Sequence, residues 1–174
     1  AVGSVVSIDF ADPERPIIEK IGFALEDQGY HLVITDTKGD HAGLTADYAA
    51  IRQEMENVAA CFGKAVLREV TWEELLENIP KIRSKCGDRA TLRAIHFFEE
   101  CRRAKAMADS LKAGEMDTYL ELVKESGHSS FEYNQNAYSP AQPQNQEMAI
   151  GLALSQSLLG RQGAWRLQGG GFAG

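Results

Sequence analysis

The spacing of the hydrophobic residues changes near residue 44, and this change constrains the fold more than any other feature. Before it, residues 4–10, 17–23 and 30–37 show the alternation or the β-branched content of strands. The connections between them are short, which predicts an antiparallel meander. After it, hydrophobic residues recur at helical spacing. The sequence therefore predicts an α+β fold, in which an antiparallel β-sheet has helices packed on one face.

In the part of the sequence that is predicted to be helical, several residues mark where a helix begins or ends. Helices are predicted over residues 44–62, 71–78, 88–113, 115–124 and 144–159. Thr71 and Glu74 form a capping box at the start of the second helix, and Pro80 ends it. Pro143 is placed to open the last helix.

The remaining segments are assigned by the same reasoning. Residues 126–146 are polar and interrupted by proline, which predicts a loop or a frayed helix. Residues 163–168 are predicted to be a strand that joins the sheet. In the first strand, the alternation of Val6, Ile8 and Phe10 indicates a half-buried strand.

Charge and composition exclude some classes of partner. The formal net charge of −7 argues against binding along a nucleic-acid backbone. No apolar stretch approaches the ~20 residues of a membrane helix, so we expect no membrane partner. Three dispersed cysteines are typical of reduced thiols in a cytoplasmic protein. Asp36 and Asp40 fit turn chemistry better than a metal pair, so no metal ligand is assigned.

The sequence ends on an unusual motif, GGGFAG, at residues 169–174. Glycine permits left-handed backbone conformations and close approach to a ligand or another chain segment. The motif matches neither the phosphate-loop signature nor the dinucleotide-binding fingerprint. Taken alone, it fits either a flexible tail or a segment that needs close backbone packing.

Several motifs, in order, resemble those of galactokinases in the GHMP superfamily of small-molecule kinases. VITDT is followed by KGDHAG and then by LTADYAAIRQE, which opens the first helix; VTWEE, ESGHSS and GGGFAG come later. The resemblance implies a C-terminal domain of the GHMP kinase type over residues 29–174, truncated after the glycine motif. Residues 1–28 would be the trailing β-hairpin of the N-terminal half. Both ends of the chain are expected to have been cut from a longer sequence.

The resemblance also implies an activity. Galactokinases use ATP and Mg²⁺ to transfer the γ-phosphoryl group to the anomeric hydroxyl of galactose. Their phosphate-binding loop and catalytic Asp precede the part matched here, so no catalytic residue is assigned to this chain and the chain alone is expected to be inactive. Two alternatives stay open: a non-catalytic galactose sensor of the same family, and a kinase for another sugar. The oligomeric state is not predicted.

Site residues follow from the matched motifs. The resemblance implies that Tyr48 contacts a sugar hydroxyl and that the glycine-rich motif forms part of the active-site wall. The residues of that loop are Gly169, Gly170, Gly171, Phe172, Ala173 and Gly174. Its glycines are expected to avoid clashes and to allow left-handed backbone. Arg52 and Glu54 are interpreted as surface charges, with support of the helix that carries Tyr48 as the alternative role for Arg52. The extra glycine in ESGHSS departs from the family pattern, so no role is assigned to His128.

Overall fold

The chain combines one β-hairpin with a bundle of α-helices, as seen in a computed structural model that describes residues 3–39 and 43–172. The strands and helices, in order, are β1 (Val5–Asp9), β2 (Ile17–Ile21), α1 (Thr45–Ala60), α2 (Trp72–Glu77), α3 (Ile79–Cys86), α4 (Asp88–Ala113), α5 (Met116–Ser129) and α6 (Glu147–Leu159). Single 3₁₀ turns occur at Glu26–Gln28 and Leu67–Glu69, and a π-helical turn at Ser130–Asn134 continues α5.

The hairpin packs one of its faces on the long helix α4. Val5 pairs with Ile21 in the antiparallel register, and Ile21 packs against Ala108 and Leu111 of α4. The opposite face of the hairpin is exposed. It carries Val6 and Ile8, which, with Phe10 directly after the strand, are the residues whose alternation predicted a half-buried strand. Their exposed fractions are 40% for Val6, 47% for Ile8 and 63% for Phe10. The strand is predicted correctly, but its large hydrophobic residues lie on the exposed side.

The α+β class agrees with the prediction, but the sheet is smaller than predicted. Residues 30–37 and 163–168 are not strands. Within the described residues, β1 and β2 form a two-stranded sheet, and no strand hydrogen-bonds to either of these segments. Leu32, Val33 and Ile34 are 76–84% exposed. Strand propensity is not sufficient for a strand, because a strand also needs a neighbour for its main-chain hydrogen bonds.

The main hydrophobic core lies where α1, α3 and α4 meet. Its buried residues are Val58, Ala59, Leu67, Leu75, Ile82, Ala90 and Ala94. The predicted capping box of α2 is present, since the Glu74 amide donates to Thr71 Oγ1 at 3.2 Å and the Thr71 amide donates to Glu74 Oε2 at 2.8 Å. Pro80 ends α2, as predicted, and also lies in the first turn of α3, a helix that was not predicted.

Of the two alternatives for residues 126–146, a loop or a frayed helix, the first part of the segment is helical. The helix α5 runs to Ser129 and continues as the π-helical turn to Asn134. Gly127 allows this packing, because a Cβ there would lie 3.0 Å from the main-chain oxygen of Trp165. The extra glycine is therefore explained by close contact between α5 and residues 165–166. The last helix begins at Glu147, a few residues later than predicted.

Candidate functional site

Tyr48 and the glycine-rich loop, 123 residues apart in sequence, are in direct contact. Tyr48 lies in the first turn of α1, and its hydroxyl donates a hydrogen bond to the main-chain oxygen of Gly171 at 2.7 Å. Its ring meets the Phe172 ring edge to face, with centroids 5.2 Å apart and planes at 88°. Leu44 and Ile51 complete a small apolar cluster around these two rings. The start of α1 therefore positions the loop.

Two of the loop glycines are required for different physical reasons. Gly171 has φ +82°, and a Cβ there would lie 2.1 Å from the main-chain oxygen of Asn136. Gly170 does not have positive φ, but a Cβ there would lie 2.7 Å from Cε1 of Tyr48. The expectation that glycine supplies left-handed backbone therefore holds at Gly171, whereas at Gly170 the requirement is steric. Ala173 and Gly174 lie outside the described residues.

Asn136 holds the loop from the side opposite Tyr48. It is 3% exposed, and its Nδ2 donates to the main-chain oxygen of Gly170 at 3.0 Å. Its own main-chain oxygen accepts from the Phe172 amide at 2.6 Å. Phe172 has φ +64°, an uncommon conformation for a phenylalanine, which these contacts support. No sequence pattern marks Asn136, because it lies in a polar segment of irregular spacing.

A layer of charged and polar contacts supports this part of the chain. Ser139, which is buried, donates to Asp47 Oδ2 at 2.6 Å and so ties the segment after Asn136 to the first turn of α1. Beneath it, the side chain of Arg93 is 1% exposed and donates to Glu54 Oε2 at 2.8 Å. Arg93 Nε also donates to the main-chain oxygen of Asn134 at 3.0 Å. These bonds link α1, α4 and the π-helical turn.

The interpretation of Glu54 as a surface charge is wrong. Its side chain is 18% exposed and pairs with both Arg93 and Arg89. Burial lowers the pKa of Arg93, and the nearby Glu54 carboxylate acts in the opposite direction. By contrast, Arg52 is 87% exposed and pairs with Glu56 along the helix, as expected for a surface charge. Two positions on one helix turn can thus have very different surroundings.

A second polar cluster lies between α4 and α5. His96 Nδ1 is 2.9 Å from Ser129 Oγ, and both residues are buried. Desolvation by burial lowers the pKa of His96, while the Glu100 carboxylate acts in the opposite direction. Near this cluster, residues of α5, the π-helical turn and α6 enclose a cleft of about 250 Å³ with Trp165 and His128 on its wall. The cleft shares no lining residue with the Tyr48 cluster.

The described residues include no evident metal site. Asp36 has the predicted turn role, because its Oδ1 accepts from the Lys38 amide at 2.9 Å. Asp40 lies outside the described residues. Over 3–39 and 43–172, no group of three or more His, Cys, Asp and Glu side chains is arranged to hold a metal ion. None of the helices in the same ranges has the length and apolar character to cross a membrane.

The chain is similar to curated galactokinases over most of its own length. It is 31% identical over 147 residues to the galactokinase of Glaesserella parasuis, 31% over 147 residues to that of Thermotoga neapolitana, and 33% over 150 residues to the human galactokinase. These alignments cover 84–86% of this chain and 35–37% of the relatives. The chain thus spans about a third of the length of the relatives it matches. No protein-family model matches it.

Proposed function

This chain is a relative of the galactokinases, and we propose that it forms one part of an ATP-dependent sugar kinase of the GHMP superfamily. The complete enzyme transfers the γ-phosphoryl group of ATP to the anomeric hydroxyl of galactose or a related sugar. It acts in the cytoplasm, which fits the dispersed cysteines. This part supplies a wall of the sugar site, and the remainder of the kinase supplies the catalytic carboxylate.

The observation that carries this proposal is the contact between Tyr48 and the glycine-rich loop. Two motifs of the galactokinase resemblance, 123 residues apart in the chain, are joined by the 2.7 Å hydrogen bond from the Tyr48 hydroxyl to Gly171. The hydroxyl donates its proton in this bond, and the galactokinase resemblance of the motif around Tyr48 is what supports a sugar contact at the same group. The Tyr48 ring meanwhile packs on Phe172. Tyr48 therefore acts both as a sugar ligand and as a support for the loop.

The contacts of the loop argue against a phosphate site formed by this loop alone. An anion site needs main-chain N–H groups that point to the ligand. Here the Phe172 amide donates to Asn136, and the carbonyls of Gly170 and Gly171 accept from Asn136 and Tyr48. The missing Cβ atoms of Gly170 and Gly171 make room for Tyr48 and Asn136. The galactokinase resemblance supports the same view, and we propose that residues outside this chain bind the ATP phosphates and Mg²⁺.

Exposed apolar residues fit a role as part of a larger protein. The open face of the hairpin carries Val6, Ile8 and Ile18, and further exposed hydrophobic residues lie at Phe10, Ile17, Leu32, Val33 and Ile34; all are 40–84% exposed. Exposed apolar surface of this kind is typical of a protein–protein or domain interface.

The proposal is tested on the full-length protein with an assay that couples ADP formation to NADH oxidation. A panel of galactose, N-acetylgalactosamine, arabinose and glucose is supplied with ATP and Mg²⁺. We expect ADP formation that depends on galactose or one of its relatives. Sugar binding without turnover would identify the protein as a sensor instead. Absence of both binding and turnover for every sugar would contradict the proposal.

A further inference from the structure

Two cysteine thiols from different helices lie next to each other at one end of the helical core. Cys61 directly follows α1, and Cys86 is the last residue of α3. Their Sγ atoms are 3.5 Å apart, and each is also within 3.6 Å of the main-chain oxygen of Asn57. Both side chains are partly exposed. A small reagent can therefore reach this pair.

The local backbone allows the two sulfur atoms to approach further. A disulfide bond needs its sulfur atoms about 2.05 Å apart, so the pair must close by about 1.5 Å. Both cysteines lie at helix ends, where the main chain is less constrained than within a helix. Gly63 and Gly87 follow them closely, and the Cβ position of each glycine has no atom within 4 Å. The main chain at these two glycines therefore has room to adjust.

Two basic side chains lie near the pair. The Lys81 ammonium donates to the main-chain oxygen of Cys61 at 3.4 Å, and the charge of Lys85 favours the thiolate of Cys86. Lys64 follows Cys61 three residues later. Positive charge attracts an anionic oxidant and stabilises thiolate leaving groups. A peptide disulfide that carries carboxylates, such as glutathione disulfide, matches this environment.

We propose that Cys61 and Cys86 form a reversible disulfide site that is oxidised by glutathione disulfide. The Cys61 thiolate attacks one sulfur of glutathione disulfide, the S–S bond of that molecule breaks, and one glutathione thiolate leaves. The Cys86 thiolate then attacks the Cys61 sulfur, and the second glutathione thiolate leaves. The two protein thiols lose two electrons and two protons, and one glutathione disulfide becomes two molecules of glutathione.

The order of attack follows from the packing of the two thiols. Cys86 packs against the main hydrophobic core, and this burial, together with the neighbouring Cys61, raises the pKa of the Cys86 thiol to about 11. Cys86 is therefore a poor first nucleophile at neutral pH, and it acts as the resolving thiol once Cys61 carries glutathione. The disulfide covalently joins the end of α1 to the end of α3, on the edge of the core around Val58 and Ile82. It restricts the movement of α1, the helix that carries Tyr48.

The experiment incubates the purified protein with glutathione disulfide at pH 8 and maps its peptides without reduction. We expect one linked pair of peptides, containing Cys61 and Cys86, that separates on treatment with dithiothreitol. Since the two cysteines are 25 residues apart in sequence, the closed loop should raise the melting temperature by about 10 °C. The Cys101→Ser variant, which retains the pair, should give the same linkage and the same shift.

Two further variants test the order of events. Cys86→Ser should accumulate one glutathione on Cys61, because the resolving thiol is missing, and Cys61→Ser should react much more slowly at Cys86. Separate glutathione adducts on both cysteines of the wild-type protein, or a linkage to Cys101, would overturn the proposal. None of these readouts depends on kinase activity, so their outcome is independent of the proposed function.

Discussion

Tyr48 and Gly170 lie so close that a Cβ atom on Gly170 would fall 2.7 Å from Cε1 of the tyrosine ring. The main-chain oxygen of the next residue, Gly171, accepts the hydrogen bond of the same tyrosine. The first turn of α1 thus meets the loop through both packing and hydrogen bonding. Asn136 holds the loop from the other side. The loop conformation therefore depends on side chains far from it in sequence.

Replacing Tyr48 with phenylalanine should weaken sugar binding modestly. The change removes the hydroxyl but keeps the ring against Phe172. One neutral hydrogen bond is worth about 1 kcal/mol, which corresponds to a rise of about fivefold in the KM for the sugar. Steady-state kinetics of the full-length protein measure this. An unchanged KM for the sugar would contradict the role assigned to Tyr48.

Replacing Gly170 with valine should lower turnover strongly with little loss of expression. The new side chain cannot share space with the Tyr48 ring, so the ring or the loop must move. We expect kcat of the full-length enzyme to fall by a factor of about 100, because a displacement of about 1 Å in groups that position the substrate can lower the rate by that much.

The matched control for this change is Gly170→Val combined with Tyr48→Ala. Removing the ring relieves the overlap, so the double variant should unfold at a higher denaturant concentration than additive effects predict. Strict additivity of the two changes, or near-normal turnover of Gly170→Val alone, would mean that the contact does not constrain the loop.

Sequence patterns predicted the local elements better than the contacts between them. The capping box at Thr71 and the amphipathic spacing of α1 are local signals, and both elements form. Residues 30–37 have the amino-acid content of a strand, but no neighbouring strand pairs with them in the described part of the chain. The content of a segment does not reveal whether another strand will lie beside it. Asn136 and Glu54 acquire their partners only after folding, across 34 and 39 residues. Such residues have no periodicity that a sequence pattern can detect.

Replacing Asn136 with alanine should destabilise the loop. The change removes the buried Asn136 side chain and leaves the main-chain oxygen of Gly170 without this donor. We expect the free energy of unfolding to fall by about 1–3 kcal/mol. Urea denaturation followed by tryptophan fluorescence measures it. The control is Asn145→Ala on the exposed segment before α6, and an equal loss there would contradict a specific role for Asn136.

Replacing Glu54 with alanine should be strongly destabilising. The Arg93 side chain, 1% exposed, would then keep a buried charge without its carboxylate partner. Breaking a buried pair by removing one partner costs about 3–5 kcal/mol. The control is Glu56→Ala, which breaks the exposed pair with Arg52 and should change the unfolding midpoint very little. Similar midpoints for the two variants would contradict the buried role of Glu54.

His96 should make the protein less stable in mild acid. Burial depresses the pKa of His96 below its ordinary value of about 6.5, so the unfolded chain binds this proton more readily than the folded chain. The neutral form of His96 therefore contributes its full stabilisation when the pH is above about 6.5, the pKa of this histidine in the unfolded chain. That stabilisation is lost as the pH falls from this value towards the lower pKa of His96 in the folded protein.

Urea denaturation at several values between pH 5 and pH 7.5 should show this loss of stability in the wild-type protein. His96→Gln should flatten the dependence, whereas His31→Gln, at an exposed position, should leave it unchanged. The same slope in the wild-type and His96→Gln proteins would assign the acid sensitivity to other groups.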